Sequence, residues 1–209
     1  MRLSLTVLSV LPLLLFIISV PPGQAQVAPS LSGTVQQYLL SPHGEVDGLL
    51  LSDGAVVKFP PHLGLALAAT VKTDDAVTAV GFMSPHTSQG RAIQALSITN
   101  SKTGQTLVDE PPTTPPLPPH LRGLNDQGLT VSGTVARFLV NPHGDIDRLI
   151  LSGGEEITFK PHQAALLVLT LARINGPISI AGFGTATEFG TVVNGETITS
   201  EGHTIWTRE

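Results

Sequence analysis

A 40-residue stretch of this sequence occurs twice, and this repeat constrains the fold more than any other feature. Residues 32–71 align with residues 132–171 at an offset of 100 without a gap, and 18 of the 40 positions are identical. The motif Pro-His-Gly is shared at 42–44 and 142–144, and the dipeptide Pro-His at 61–62 and 161–162. A repeat of this clarity indicates that one structural unit is present twice.

The first 25 residues have the pattern of a secretory signal peptide. Arg2 precedes an apolar run over residues 3–20, and the small residues Gly23 and Ala25 stand where signal peptidase would cleave. We therefore expect the protein to be exported, either to the periplasm or out of the cell. The alternative is that this segment is kept as an anchor, because its length approaches that of a spanning helix. No later stretch is apolar enough to span a bilayer.

Composition narrows the classes of function. The chain has 209 residues, a formal net charge of −5 and no cysteine. Disulfides, thiolate metal sites and a cysteine nucleophile are therefore excluded. The acidic balance argues against a nucleic-acid partner, because such proteins carry a basic surface. The sequence contains no nucleophile elbow, zinc-protease motif or phosphate-binding loop, so we expect no enzymatic activity and no catalytic residues.

Turn residues divide the first copy into short β-rich segments. Pro42-His43-Gly44 and Asp53-Gly54 predict turns, the second of them a hairpin. Strands are predicted over residues 31–40, 46–51, 56–59, 76–82 and 91–99, with a short helix over 63–71. The order β-β-β-α-β-β is typical of an OB-fold. An SH3-like or other small barrel is the alternative.

The second copy repeats the first three strands and the helix, here over residues 163–173, and then diverges. A strand over 178–183, a tight hairpin at Asn194-Gly195 and a final strand carrying Trp206 are predicted. We thus predict an all-β chain with one short helix per domain, in which OB-fold-like barrels over 30–105 and 129–209 are joined by a Pro-rich linker. The linker, residues 106–128, should form an extended polyproline II segment, either as a spacer or docked along one domain.

Three motifs carry a resemblance to a known group of proteins. They are Pro-His-Gly-Glu-Val-Asp-Gly at 42–48, Leu-Leu-Leu-Ser-Asp-Gly at 49–54 and Phe-Pro-Pro-His-Leu at 59–63. Together they resemble uncharacterised bacterial secreted proteins with tandem OB-fold-like domains. The resemblance covers both copies of the repeat, and it implies a small β-barrel without implying a particular activity.

Repeated polar residues are candidate metal ligands at one end of each barrel. If Asp53-Gly54 closes a two-residue hairpin, paired positions sum to 107, and Glu45 then faces His62. Two imidazoles with one or two carboxylates suit zinc, nickel or copper ions. The alternative is that the same residues only close the barrel end through ordinary cross-strand pairs. The candidates are His43, Glu45, Asp47 and His62 in the first copy, and His143, Asp145, Asp147 and His162 in the second.

A second candidate site lies across strands two and three, where OB-folds usually bind their ligands. Core packing is the alternative for its two aromatic residues. The predicted face consists of Tyr38, Val56, Lys58, Phe138, Arg148 and Thr158. We accordingly expect non-enzymatic binding of a protein or small polar ligand of the cell envelope, without a resident cofactor. Divalent metal binding and a structural role in the envelope are the alternatives.

Overall fold

The computed structural model describes residues 28–88, 90–115, 121, 126–160, 167, 170–171, 174 and 176–208. The predicted signal peptide, residues 1–25, lies outside these residues. The described part of the chain is mostly β-strand, as predicted, and contains no helix long and apolar enough to cross a membrane.

Two runs of strands correspond to the two copies, and we call residues 30–108 the first half and residues 127–207 the second half. The first half contains β1 (Ser30–Leu40), β2 (Val46–Leu51), β3 (Val56–Lys58), α1 (Gly64–Thr70), β4 (Ala76–Met83), β5 (Ala92–Asn100) and β6 (Thr106–Val108). The second half contains β7 (Gln127–Gly133), β8 (Val135–Val140), β9 (Ile146–Leu151), β10 (Glu156–Thr158), β11 (Ile178–Thr187), β12 (Gly190–Ser200) and β13 (His203–Thr207).

The first five strands close into a barrel. Strand β1 pairs with β4 through its N-terminal part and with β2 through its C-terminal part. Strand β4 pairs with β5, which returns to β3 in a parallel pairing that sets Val57 beside Ile93. Because β3 also pairs with β2, the ring is complete. Strand β6 pairs antiparallel with the C-terminal part of β5. The segment predicted as a linker therefore begins with a strand.

The β2–β3 hairpin has a three-residue turn, and the predicted register is therefore wrong by one. Leu51 donates its N–H to the carbonyl of Ala55 at 2.9 Å, which leaves residues 52–54 in the turn. Gly54 has a φ of +87°, the left-handed conformation that such a turn requires. Paired positions consequently sum to 106, as in Leu49 with Val57. This register places both of these side chains in the barrel core.

The short helix packs against the first barrel. Helix α1 follows a 3-10 turn over Pro61–Leu63 and ends at Thr70. Leu67 is fully buried in the core, whereas Ala66 faces solvent. Leu65 is 77% exposed. The second predicted helix, residues 163–173, falls largely outside the described residues.

The second half repeats the pairing order of the first. Strands follow the order β7-β11-β12-β10-β9-β8, with β10 parallel to β12. Strands β7 and β8 meet at Thr134 and together take the place of β1. The predicted final strand is present as β13, which sets Trp206 beside Ile198.

The predicted hairpin at Asn194-Gly195 is wrong. Both residues lie inside β12, and the turn between β11 and β12 is formed by Glu188 and Phe189. Gly195 is paired with Gly182 at an irregularity in the register of the two strands. Strand-forming residues on both sides pair with β11, so the Asn-Gly dipeptide is accommodated as a local irregularity and does not reverse the chain.

Each half has its own hydrophobic core, and a third apolar cluster joins the halves. We call it the interface cluster. Its buried residues are Leu39, Leu50, Val56 and Ala92 of the first half, and Leu139, Val140 and Ile150 of the second. The linker was predicted either to space the two barrels or to dock along one of them, and the halves pack directly on each other. Residues 116–120 and 122–125 of the predicted linker lie outside the described residues.

Candidate functional site

The predicted ligand-binding face lies largely in the contact between the halves. Val56 is 1% exposed, Arg148 6% and Thr158 7%, and the Lys58 side chain is only 16% exposed. Strands β2 and β3 of the first half meet β8 and β9 of the second along this face. A ligand lying across strands two and three would therefore have to separate the halves.

The two aromatic residues of the predicted face belong to the barrel cores. Tyr38 is half-buried against the first core, and its hydroxyl donates to the carbonyl of Val71 at 2.7 Å. Burial, together with the nearby Asp75 charge, raises the pKa of Tyr38. Phe138 packs against the second core. The core-packing alternative therefore describes both rings better than a ligand platform does.

A buried group of charges joins the halves, and we call it the ion network. Arg148 Nη2 lies 3.0 Å from Asp47 Oδ2, and Arg148 Nη1 is ion-paired with Glu156. Lys58 pairs with the same carboxylate of Asp47. Asp147 completes the network, with its Oδ1 3.7 Å from Arg148 Nε. The network therefore contains three carboxylates and two cations.

The ion network also holds a backbone segment of the opposite half. Arg148 Nη1 donates to the carbonyl of Leu40 at 3.0 Å, and Glu156 Oε2 accepts the Leu40 N–H at 2.9 Å. Leu40 stands next to a register irregularity at the end of β1. Two side chains of the second half thus satisfy polar backbone groups of the first, which would be costly to leave unpaired in a buried contact.

Burial and the neighbouring charges shift the pKa values of the network in opposite directions. Burial raises the pKa of Glu156 to about 7 and raises that of Asp147, and the charge of Arg148 only partly opposes this. Burial would also raise the pKa of Asp47, but Arg148 and Lys58 outweigh it and hold that pKa below its usual value. Burial lowers the pKa of Lys58. Because the network has one carboxylate more than it has cations, it favours the binding of a proton to a carboxylate.

The contacts around the network are approximately symmetric under exchange of the two copies. Gln37 Nε2 donates to the carbonyl of Gly154 at 3.4 Å, while the equivalent Arg137 lies directly over Gly54. In the same way, the turn at Gly44 packs on Thr185 of β11. The turn at Gly144 lies beside Pro85 and Thr87, in the loop between β4 and β5. The two copies therefore meet through equivalent surfaces, as two subunits of a symmetric dimer do.

A cleft of about 390 Å3 opens beside this contact. Three of the predicted metal candidates line it, namely His43, Glu45 and His62. Its apolar walls include Pro61 and Leu65 of the first half and Phe189 of the second. Phe189 stands at the β11–β12 turn and also packs edge-on against Tyr38, with the ring centroids 5.4 Å apart. The cleft is therefore built by both halves.

The histidines of the cleft bind other parts of the chain. His43 Nδ1 lies 3.2 Å from Asp126 Oδ2, and His62 Nε2 donates to the carbonyl of Glu110 at 2.8 Å. Glu45 accepts a hydrogen bond from the Ser41 hydroxyl at 3.1 Å. Within the described part of the chain, no three His, Asp or Glu side chains are placed to share a metal ion.

The remaining metal candidates among the described residues lie apart from the cleft. Asp47 is taken up by the ion network, because the actual hairpin register pairs its carbonyl with the Phe59 N–H and turns its carboxylate toward Arg148. His143 and Asp145 are exposed in the second Pro-His-Gly turn, where their N–H groups bind the Asn141 side chain. Asp147 belongs to the ion network. His162 lies outside the described residues.

Sequence reasoning missed two important residues. Glu156 is not among the predicted site residues, yet it is 1% exposed in the contact between the halves. A signal was available, since Val56 and Gly48 of the first copy are replaced by Glu156 and Arg148 in the second, a paired gain of opposite charges. Phe189 lies outside the repeat, and no pattern in the sequence marks it.

Comparisons with protein-family models, with curated proteins and with solved structures find no match to this chain.

Proposed function

We propose that this chain is an exported, non-enzymatic binding protein made of two OB-fold-like halves, and that its ligand occupies the cleft. The observation that carries the proposal is the cleft itself, in which Phe189 of the second half meets His43, Glu45 and His62 of the first. Its volume of about 390 Å3 falls within the range of small-molecule sites. Apolar walls with a few polar groups are also usual for such sites.

The OB-fold assignment is supported by the order of strands and by the position of the helix. The first half has the predicted element order β-β-β-α-β-β, and its first five strands form a ring in the order β1-β2-β3-β5-β4 with the helix between the third and fourth strands. Under this assignment, the contact between the halves covers the surface that OB-folds usually use for binding. We therefore assign the ligand site to the cleft at the rim of that contact, where the first Pro-His-Gly turn and the Phe189 turn lie side by side.

Calorimetric titration of the exported chain with a panel of amino acids, sugars, polyamines, nucleosides and short peptides tests the proposal. We expect at least one class to bind, and the His43→Ala variant to weaken that binding at least tenfold. His143→Ala is the matched control, because it removes the equivalent exposed imidazole from the turn of the other copy. A panel without any binding, or binding that both variants leave unchanged, would contradict the proposal.

A further inference from the structure

We propose that the cleft takes an extended, proline-containing peptide segment as its ligand, an inference that rests on the proposed function. The starting point is the contact between His62 Nε2 and the carbonyl of Glu110 at 2.8 Å. A carbonyl only accepts hydrogen bonds, so the imidazole must carry its proton on Nε2 and donate it. His62, which lines the cleft, therefore already binds the backbone of another segment of this chain.

The segment that His62 binds has the chemistry of the proposed ligand. Glu110 is followed by Pro111 and Pro112, and residues that precede proline favour the extended conformation. The last backbone hydrogen bond of the preceding strand is donated by Asp109 to the carbonyl of Leu96. Glu110 lies beyond this strand and is exposed. The contact therefore recognises a proline-flanked carbonyl outside any sheet.

The walls of the cleft suit proline rings better than a small polar solute. Leu65 is 77% exposed, although it stands on a helix whose other face is packed in the core. Pro61 and the half-buried ring of Phe189 extend this apolar surface. A polyproline II segment offers apolar rings and free carbonyl groups, and it loses little conformational entropy on binding because it is already extended.

The polar groups of the cleft complement such a segment. The His62 N–H, which the Glu110 carbonyl accepts within the chain, is the donor that a ligand carbonyl would take over, and Glu45 supplies an acceptor for an N–H group or a basic side chain. Among the described residues, no lysine or arginine lines the cleft. An acidic or phosphorylated ligand would therefore find no cationic partner there, whereas a neutral or basic peptide meets no charge conflict.

Fluorescence anisotropy of labelled octapeptides with the full exported chain tests the inference. One probe is Pro-Pro-Thr-Thr-Pro-Pro-Leu-Pro with acetylated and amidated ends, a neutral copy of residues 111–118, and its partner has every proline replaced by alanine. We expect the proline peptide to bind at least tenfold more tightly than the alanine peptide. We also expect Leu65→Ser to weaken its binding at least tenfold, and Leu96→Ser to leave it unchanged. Leu96 is a matched control, since it is an exposed leucine on strand β5, away from the cleft, at 43% exposure.

The outcomes separate this inference from the proposed function. Equal binding of the two peptides, no effect of Leu65→Ser, or no peptide binding would each overturn the peptide assignment. If a sugar, polyamine or nucleoside binds and depends on His43 while no peptide binds, the cleft remains the site and only the ligand class is wrong. If no compound of either kind binds, both proposals fail.

Discussion

Glu156 accepts a hydrogen bond from the backbone N–H of Leu40, 116 residues earlier in the chain, and is ion-paired with Arg148 beside it. This contact spans the two copies of the repeat. A buried carboxylate that binds both a guanidinium and a backbone N–H of the opposite half makes the arrangement of the halves specific, because any other packing would leave these groups unpaired.

Removal of the Arg148 side chain should strongly destabilise the paired halves. In Arg148→Ala, the carboxylates of Asp47 and Glu156 remain buried and lose their shared partner. Breaking a buried ion pair in this way typically costs about 3–5 kcal/mol. The free energy of unfolding in urea measures the effect. Arg91→Ala is the matched control, because Arg91 pairs with Asp53 at the surface and surface pairs contribute about 1 kcal/mol or less. Similar losses in the two variants would contradict the role of the network.

Stability should decrease as the pH rises from about 5 to about 7. The pKa of Glu156 is raised from 4.5 to about 7 in the folded protein, so the folded state binds a proton that the unfolded state has released. The stabilisation is complete below the unfolded pKa and is lost as the pH passes the folded pKa. Arg148, Asp47, Asp147 and Lys58 are the charged groups that face Glu156 in the network.

Thermal unfolding of Glu156→Gln between pH 5 and pH 8 tests this dependence. The neutral amide removes the titration, so the melting temperature should vary less with pH than in the parent protein. Glu188→Gln is the control, since Glu188 is exposed at the β11–β12 turn and its replacement should leave the profile unchanged. A pH profile of Glu156→Gln that is parallel to the parent profile would show that another group titrates.

Phe189→Ala should destabilise the contact between the halves by about 2 kcal/mol. The substitution removes a half-buried ring and its edge-to-face contact with Tyr38, and such aromatic pairs add about 0.5–1.5 kcal/mol to the burial of their area. Phe183→Ala is the control, because Phe183 lies within β11 and its ring is 53% exposed. A double-mutant cycle with Tyr38→Leu, followed by urea denaturation, should return a favourable coupling energy. A coupling energy of zero would rule out the pair as a stabilising contact.

Gly44→Ala should cost more stability than Gly144→Ala. Both glycines have a left-handed backbone, with φ of +85° and +91°, so both variants carry the same local strain. A Cβ at Gly44 would also collide with Thr185 of the opposite half, whereas a Cβ at Gly144 would lie 3.7 Å from Pro85 Cδ, an ordinary contact. The difference between the two free energies of unfolding should be about 1–3 kcal/mol. Equal values would show that the turn of the first copy is not packed on β11.

Much of the local structure could be predicted from the sequence, and the errors have identifiable physical causes. The turn after β2 was predicted at the correct residues, but its length was wrong because Asp53-Gly54 is compatible with turns of two and three residues. The apolar pattern could have decided between them, since only the three-residue turn pairs Leu49 with Val57 and buries both. Asn194-Gly195 was wrongly predicted as a turn because its strand-forming neighbours find partners in β11 that no local pattern reveals.

The site was harder to predict, since it depends on how the two copies meet. The spacing of the repeated motifs correctly suggested that His43, Glu45 and His62 lie near one another, and they line one cleft. It also suggested that Asp47 joins them and that Val56 and Arg148 are available to a ligand. Those residues are buried in the contact between the halves instead. Which outer face of a barrel is exposed cannot be read from one barrel alone.

The sequence by itself determined the duplication, the β-rich unit with its turns and short helix, and the residue types that cluster at the end of each unit. These features follow from local preferences and from the alternation of apolar residues, which act within a few positions of the chain. Only the tertiary structure decided that the two faces cover each other, that Arg148 and Glu156 bind Leu40, and that Phe189 completes the cleft. These contacts join residues far apart in the sequence, and their free energy comes from burying surfaces that complement each other only once both halves are folded.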